Sequence, residues 1–91
     1  MAQIIKTNGE IHEVQPNNGA DFQLDELQAI VKGYIEIIHL DDDEIMVVNE
    51  EGKFTCGYNR HASAVAHLHR AIPLNDFVCG DVLVCYNNQV K

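Results

Sequence analysis

One stretch constrains the fold more than any other part of the sequence: residues 24–53, which read LDELQAIVKGYIEIIHLDDDEIMVVNEEGK. Its first apolar residues recur at helical spacing and share one face, so they predict a helix. Gln23 and Glu26 are placed to form a capping box at the start of this helix, and Asp21 is an alternative cap. We expect Gly33 to end the helix, since the left-handed position after a helix suits glycine best. The remaining segments can be placed as additions to this unit.

Two strands are predicted after the glycine. Residues 34–40, YIEIIHL, are rich in aromatic and β-branched side chains, and both faces of the strand would be mostly apolar. Such a strand is either central in a sheet covered on both sides or part of an interface. Asp41–Asp43 form the predicted turn to a partner strand at residues 44–49. A tight turn at Asn49–Gly52 then leads to a predicted short third strand at residues 53–56.

The N-terminal segment, residues 3–14, is predicted to form a β-hairpin. Asn8-Gly9 supplies the positive φ angles that a tight hairpin loop demands. A two-residue loop would mix charged and apolar side chains on one face. We therefore expect a three-residue loop with Gly9 left-handed, which pairs Ile5 with Ile11.

The C-terminal half is predicted to contain a second short helix at residues 60–70, with Asn59 as its N-cap. Residues 77–85 form an apolar strand interrupted by Gly80-Asp81, which we interpret as a bulge and alternatively as a turn. Residues 86–91 are expected to fray. The sequence thus predicts a single α+β domain over residues 1–91. It has an antiparallel sheet with an N-terminal hairpin, one packed helix after it, a second short helix and a C-terminal closing strand.

Composition and charge restrict the class of function. The formal net charge of −8 repels the phosphate backbone, so we expect no direct nucleic-acid binding, whereas a basic partner would suit it. No apolar run reaches the length of a membrane span, and the start of the chain lacks the apolar region of a signal peptide. We expect a cytoplasmic protein without a membrane partner. A chain of 91 residues is near the small end of what buries its own core, and a homodimer would relieve that.

No catalytic or metal-binding motif stands out. His61, His67 and His69 are close in sequence, but only residues three or four apart share a helical face. Ser63 lacks the glycine-flanked elbow of a hydrolase nucleophile. We therefore expect no enzyme, no catalytic residue, no cofactor and no metal, with a metal-dependent enzyme as the least favoured alternative. Three cysteines without a CxxC pair are expected to be free thiols: Cys56, Cys79 and Cys85.

Two kinds of binding surface are indicated. Two acidic clusters, roughly 17 Å apart at about 3.3 Å per residue, would lie at opposite ends of the second strand and could imitate spaced phosphates. Their members are Asp41, Asp42, Asp43 and Glu44 at one end and Glu50 and Glu51 at the other. A small anion could instead be held by backbone N–H groups near Asn59 and Arg60, where the second helix begins.

Several motifs resemble one protein family: the helix-to-GYIE junction, the NEEGK turn, the GYNR segment and the apolar GDVLV end. Most of the chain, residues 3 to 86, resembles the domain of unknown function family numbered 3846, small proteins of phages, plasmids and other mobile elements. The resemblance implies an accessory protein and provides no reaction, cofactor or catalytic residue. The chain departs from the family in Gln23, Lys32 and Gly57-Tyr58. The matching positions are Gly33, Tyr34, Ile35, Glu36, Asn49, Glu50, Gly52, Lys53, Asn59 and Arg60.

The leading functional hypothesis is a non-enzymatic accessory binding protein of phage or mobile-element type, acting on a protein partner or a small anionic ligand. One alternative is an acidic DNA mimic that inhibits a host restriction or defence protein. Another is a sponge for a small anionic nucleotide signal. A homodimer is a further open alternative. The candidate binding residues are Tyr34, Asn49, Lys53, Asn59 and Arg60.

Overall fold

Five strands and three α-helices form the fold within residues 2–90, the part of the chain that the computed structural model describes. The strands are β1 (Gln3–Ile5), β2 (Ile11–Glu13), β3 (Ile35–His39), β4 (Glu44–Asn49) and β5 (Val82–Tyr86). The helices are α1 (Leu24–Val31), α2 (Gly52–Thr55) and α3 (Arg60–Leu68), and a 3-10 turn at Asn87–Gln89 follows β5. None of these helices has the length and apolar character needed to cross a membrane.

The strands form one antiparallel sheet in the order β2-β1-β5-β4-β3. The last strand in sequence therefore lies in the middle of the sheet, where it joins the N-terminal hairpin to the β3–β4 hairpin. This architecture confirms the predicted α+β class, including the N-terminal hairpin and the C-terminal strand that completes the sheet.

The N-terminal hairpin has the predicted register. Ile5 pairs with Ile11, and the Lys6 amide donates to the Glu10 carbonyl at 2.9 Å. Gly9 adopts a φ of 91° and its amide donates to the Lys6 carbonyl at 3.0 Å. The loop conformation that requires glycine thus fixes which residues of the two strands face each other.

Alternate residues of the central strands point to opposite faces of the sheet, and each face is covered by one helix. On one face, Leu27 and Val31 of α1 pack with residues of β4 and β5: Ile45, Val47, Leu83 and Cys85. On the other, Ala62 and Ala66 of α3 pack with Met46, Val48, Val82 and Val84. Burying a large aliphatic side chain contributes about 1.5–3 kcal/mol, so these two layers supply most of the driving force for folding.

Helix α1 begins as predicted but ends differently. The Gln23 amide donates to Glu26 Oε2 at 2.8 Å, which is one half of the expected capping box. The prediction that Gly33 is the left-handed residue was wrong, because Lys32 takes that conformation with a φ of 64°. Gly33 is needed for space instead, since a Cβ there would lie 2.7 Å from Asn49 Nδ2.

Strand β3 is an edge strand, so the expectation of a central strand covered on both sides was wrong. Its burial is incomplete: Ile37 is 38% exposed, and Glu36 and His39 are exposed as well. Strand β5 pairs with the inner side of β4 and leaves the outer side of β3 open. The interface interpretation of this apolar strand stays a prediction.

The predicted third strand at residues 53–56 was also wrong, because residues 52–55 form the short helix α2. The Glu51 amide donates to Asn49 Oδ1 at 2.8 Å, which turns the chain directly after β4. Gly52 then lies so close to the segment before β5 that a Cβ at this position would be 2.7 Å from the Cys79 carbonyl oxygen. This contact, distant in sequence, favours a helical turn over a ladder.

The C-terminal segment differs from its prediction at both ends. A continuous strand over residues 77–85 with a bulge was wrong, since β5 begins only at Val82 and Cys79 forms an isolated bridge with Tyr58. Gly80 bends the chain between them with a φ of 88°. The tail does not fray up to Val90, which forms a bridge with Phe22. Lys91, also covered by that prediction, lies outside the described residues.

Candidate functional site

The five candidate binding residues do not form one site. Tyr34 and Asn49 line a cavity of about 370 Å³ beside the end of α1. Lys53 lines a second cavity of about 480 Å³ beside β3, and Arg60 lines a third of about 330 Å³ at the start of α3. Asn59 lines none of these three cavities. The structure thus distributes the candidates over different surfaces.

Asn59 is fully buried and holds three segments together. Its Oδ1 accepts a hydrogen bond from the Ala62 amide at 2.9 Å and caps α3, as predicted. Its Nδ2 donates to the carbonyls of Ile5 at 3.0 Å and Gly80 at 2.9 Å. All these partners belong to the fold, so a ligand could reach this amide only by breaking them.

Asn49 serves the fold in a similar way. Its Nδ2 donates to the Val31 carbonyl at 3.0 Å, close to the end of α1, and its Oδ1 accepts from the Glu51 amide. Tyr34, its neighbour in the same cavity, is 67% exposed. Of these two residues, only Tyr34 presents a free surface to a partner.

Exposed aromatic side chains distinguish this surface from that of an ordinary small domain. The sequence holds three phenylalanines and three tyrosines, and only Phe22 is buried. Phe54 is 88% exposed, Tyr58 56% and Phe77 43%. We call these three residues the aromatic surface. Aromatic residues are normally buried to a large extent, and their enrichment on a surface is typical of protein interfaces.

Two of the three aromatic residues, Tyr58 and Phe77, are held by contacts around Phe77. The rings of Tyr58 and Phe77 meet edge to face, with centroids 6.0 Å apart. Lys53 Nζ lies 5.2 Å from the centre of the Phe77 ring and also pairs with Asp76. The hydrogen bond from Lys53, followed by that from the Phe77 amide, holds the pKa of Asp76 below its usual value. The candidate residue Lys53 therefore positions an aromatic ring and does not lie free in solution.

Sequence reasoning missed the aromatic surface because it placed Phe54 in a strand. Phe54 lies in helix α2, and Tyr58 follows the helix, four residues further along the chain. The Phe77 ring meets that of Tyr58 from the connector before β5. The one available signal was the turn chemistry of NEEGK, since Asn49 starts a turn that can lead into a helix.

The acidic clusters lie at opposite ends of β4, as expected. Asp41, Asp42 and Asp43 are exposed at one end, and Glu50 and Glu51 are exposed at the other, whereas Glu44 is half-buried. Asp41 Oδ1 accepts hydrogen bonds from the amides of Asp43 and Glu44 at 2.8 and 2.7 Å. These bonds hold the pKa of Asp41 below its usual value. One carboxylate of the cluster thus stabilises the turn.

The cavity at the start of α3 is lined by Lys6, Arg60 and His61. Two side chains of fixed positive charge therefore line one cavity in a protein that has only six such residues. The cavity is open to solvent beside the N-terminal hairpin loop, since Thr7 and Gly9 form its other wall.

Several other titratable and nucleophilic groups are buried or hydrogen-bonded to the fold. Ser63 is buried, and its hydroxyl accepts from the Val78 amide at 2.8 Å. His67 Nε2 hydrogen-bonds the Asp76 carbonyl at 2.8 Å. Burial raises the pKa of Cys85 to about 11 and raises that of Cys79. Within residues 2–90, no three His, Cys, Asp or Glu side chains are grouped so as to hold a metal ion. The three thiols are free, as predicted.

Fold and site together define a class: a small α+β protein with a helix on each face of an antiparallel sheet and with exposed aromatic side chains. The chain belongs to the family described as Domain of unknown function (DUF3846), whose model matches residues 2–90. The predicted family membership is thereby confirmed. No curated protein and no solved structure matches the chain significantly.

Proposed function

We propose that this protein is a non-enzymatic binding protein that captures a protein partner through its aromatic surface. The exposure of Phe54 carries the proposal, because a helix of four residues places a large aromatic side chain almost entirely in solvent. Truncating an exposed aromatic residue costs the fold little, whereas aromatic residues dominate the binding energy of protein interfaces. An accessory role in a phage or mobile element is part of the proposal and rests on the family resemblance.

The charges around the aromatic surface indicate the chemistry of the partner. Glu50 and Glu51 are exposed directly before α2, and the whole chain carries a net charge of −8. A complementary surface would place basic side chains around an apolar or aromatic residue that packs on Phe54. Such a charge distribution accelerates association with a basic partner and disfavours acidic ones.

The proposal is tested by affinity capture from cells that normally contain this protein, with quantitative mass spectrometry of the captured proteins. A partner retained by the wild type should be lost from the double variant Phe54→Ala, Tyr58→Ala, since truncating a dominant interface residue costs about 2 kcal/mol or more. Leu24→Ala and Leu68→Ala are matched controls, because these side chains are 58% and 83% exposed on other surfaces. Retention of every partner by the double variant would contradict the proposal.

The acidic DNA-mimic hypothesis predicts that a different variant loses the partner in the same capture experiment. Neutralising the cluster at the start of β4 should abolish capture by a mimic, because that cluster would replace phosphates. Capture through the aromatic surface should survive this change. The residues to neutralise are Asp41, Asp42, Asp43 and Glu44.

A second candidate function, a sponge for a small anionic nucleotide, is favoured by the cavity that Lys6, Arg60 and His61 line. A ligand that binds the folded state raises its apparent stability, so a bound nucleotide should raise the melting temperature. Replacing Arg60 by Ala should remove that increase, whereas replacing Arg70, which is exposed beyond the end of α3, should not. A flat thermal-shift screen at millimolar nucleotide would rule this candidate out.

A further inference from the structure

The two edges of the sheet differ in how they are protected. Strand β2 has three residues, and two of them, His12 and Glu13, are polar. Strand β3 has five residues with three isoleucines and contains no proline and no lysine. Natural proteins protect a sheet edge with short strands, charges, proline or bulges, and β3 carries only Glu36 and His39 among these devices.

The hydrogen bonds at the two ends of β3 show which backbone groups are free at its outer edge. The Glu50 amide donates to the Tyr34 carbonyl at 2.9 Å, and the Leu40 amide donates to the Glu44 carbonyl at 3.0 Å. In an antiparallel ladder, hydrogen-bonded pairs alternate with pairs whose backbone groups point away. The N–H and C=O groups of Ile35, Ile37 and His39 therefore point outward from the sheet.

We propose that β3 pairs antiparallel with β3 of a second copy of this chain, about a two-fold axis at Ile37, and joins two sheets into one of ten strands. The proposal does not rest on the aromatic surface, of which Phe77 lines the cavity beside β3. In this register Ile37 faces Ile37 of the second copy, and Ile35 faces its His39. All three residues with outward backbone groups then find hydrogen-bonding partners, which satisfies the edge completely.

The side chains of β3 are compatible with self-pairing. Ile35 and Ile37 lie on the face that α1 covers, since Ile37 pairs with Val47 in that layer. The two-fold axis would bring two Ile37 side chains, each 38% exposed, into direct contact. On the other face, Glu36 would lie opposite Ile38 of the second copy. Like charges are never directly opposite, which is the arrangement that destabilises a strand pair.

The ends of the paired strands are complementary in charge. Antiparallel pairing brings Lys32, which precedes β3, towards the turn Asp41–Asp43 that follows β3 in the second copy, and the symmetry repeats this contact. The Lys32 side chain is 75% exposed and lies 3.7 Å from Asp81 of its own chain. Asp41, Asp42 and Asp43 are all exposed. A net charge of −8 on each copy opposes association, and these two contacts offset part of that repulsion where the copies meet.

Surface beside the edge would add to the buried area. Five residues of the connector before β5 line the 480 Å³ cavity together with residues 36–39 of β3, so an added strand would lie alongside them: Ala71, Ile72, Pro73, Asp76 and Phe77. Leu74 on this connector is 93% exposed, and Tyr34 at the start of β3 is 67% exposed. Stable interfaces bury about 1,200–2,000 Å² in total, more than two strands of five residues supply alone. We infer that exposed side chains next to β3 supply the rest of the buried area.

Sedimentation equilibrium of the whole protein tests the proposal. The wild type should form a dimer of the 10.2 kDa chain. Ile37→Lys should raise the dimer dissociation constant at least about 100-fold, because it places two ammonium groups opposite each other at the axis. Ile11→Lys is the matched control: Ile11 is 44% exposed on the other edge strand, and its replacement should leave the dimer intact.

Amide hydrogen exchange of the wild type locates the interface without any substitution. The amides of Ile35, Ile37 and His39 should exchange slowly in the dimer and rapidly after dilution to the monomer. A protein that stays monomeric at its highest soluble concentration overturns the proposal. A dimer that persists unchanged in Ile37→Lys, or one in which these three amides exchange rapidly, overturns it equally.

Discussion

Replacing the buried amide of Asn59 should be among the most damaging single substitutions in this fold. Asn59→Ala removes the N-cap of α3, which is worth about 1 kcal/mol. It also removes the donor that serves the buried carbonyls of Ile5 and Gly80, at about 1–3 kcal/mol for each acceptor left without a partner. We expect a loss of about 3–7 kcal/mol, a large share of the roughly 5–15 kcal/mol that stabilises a typical domain.

Urea unfolding followed by circular dichroism measures this loss. Asn59→Ser should recover about 1 kcal/mol relative to alanine, because serine also caps helices but cannot reach both carbonyls. Asn75→Ala is the matched control, since Asn75 is exposed and its replacement should change stability by less than about 0.5 kcal/mol. A loss below about 1 kcal/mol in Asn59→Ala would refute the structural role and return Asn59 to the candidates for ligand binding.

Two further predictions concern the end of α1 and the acidic turn. Lys32→Gly should stabilise the protein by up to about 1 kcal/mol, because Lys32 is held at a φ of 64° that glycine adopts more easily. Gly33→Ala should destabilise the protein by about 1–3 kcal/mol, because its Cβ would clash with Asn49. Gly57→Ala, whose Cβ would meet nothing within 4 Å, should be nearly neutral in the same unfolding assay, and equal effects at all three positions would contradict the packing argument. The Asp41 carboxyl group should have a pKa below its ordinary value of 3.8, because the amides of Asp43 and Glu44 donate hydrogen bonds to its charged form. A titration followed by NMR of the carboxyl carbon measures this pKa. The contribution of Asp41 to the free energy of unfolding is therefore fully present above its ordinary pKa and is lost as the pH falls through its lowered pKa. Asp41→Asn should make the free energy of unfolding fall less steeply at acid pH. A steeper fall in the variant would contradict this reasoning.

Features set by neighbouring residues could be predicted from the sequence. The register of the N-terminal hairpin follows from Asn8-Gly9, because few loop conformations accept a positive φ there. The capping interaction of Gln23 with Glu26 and the cap at Asn59 are equally local. In each case the residue that determines the conformation lies within four positions of the backbone group that it contacts.

Features set by distant contacts could not be predicted. Residues 53–56 have enough strand character to suggest a ladder, but Gly52 packs against the Cys79 carbonyl and the chain turns into α2. Gly33 was identified as important for a reason that was wrong: it makes room for Asn49, which is 16 positions away in the chain. The exposure of Phe54 depends on the contact of Gly52 with the Cys79 carbonyl, so the aromatic surface could not be predicted from the sequence.

The position of β3 shows how one strand far along the chain changes the meaning of a pattern. An apolar strand with hydrophobic residues on both faces normally indicates a central place in a sheet. Here β5 takes that place, because it pairs with β4 on one side and with β1 on the other. Strand β3 thus keeps the composition of a central strand at an open edge, with Ile37 partly exposed and no proline or lysine to block pairing. The composition that suggested a central strand is therefore the reason to expect that another strand covers this edge.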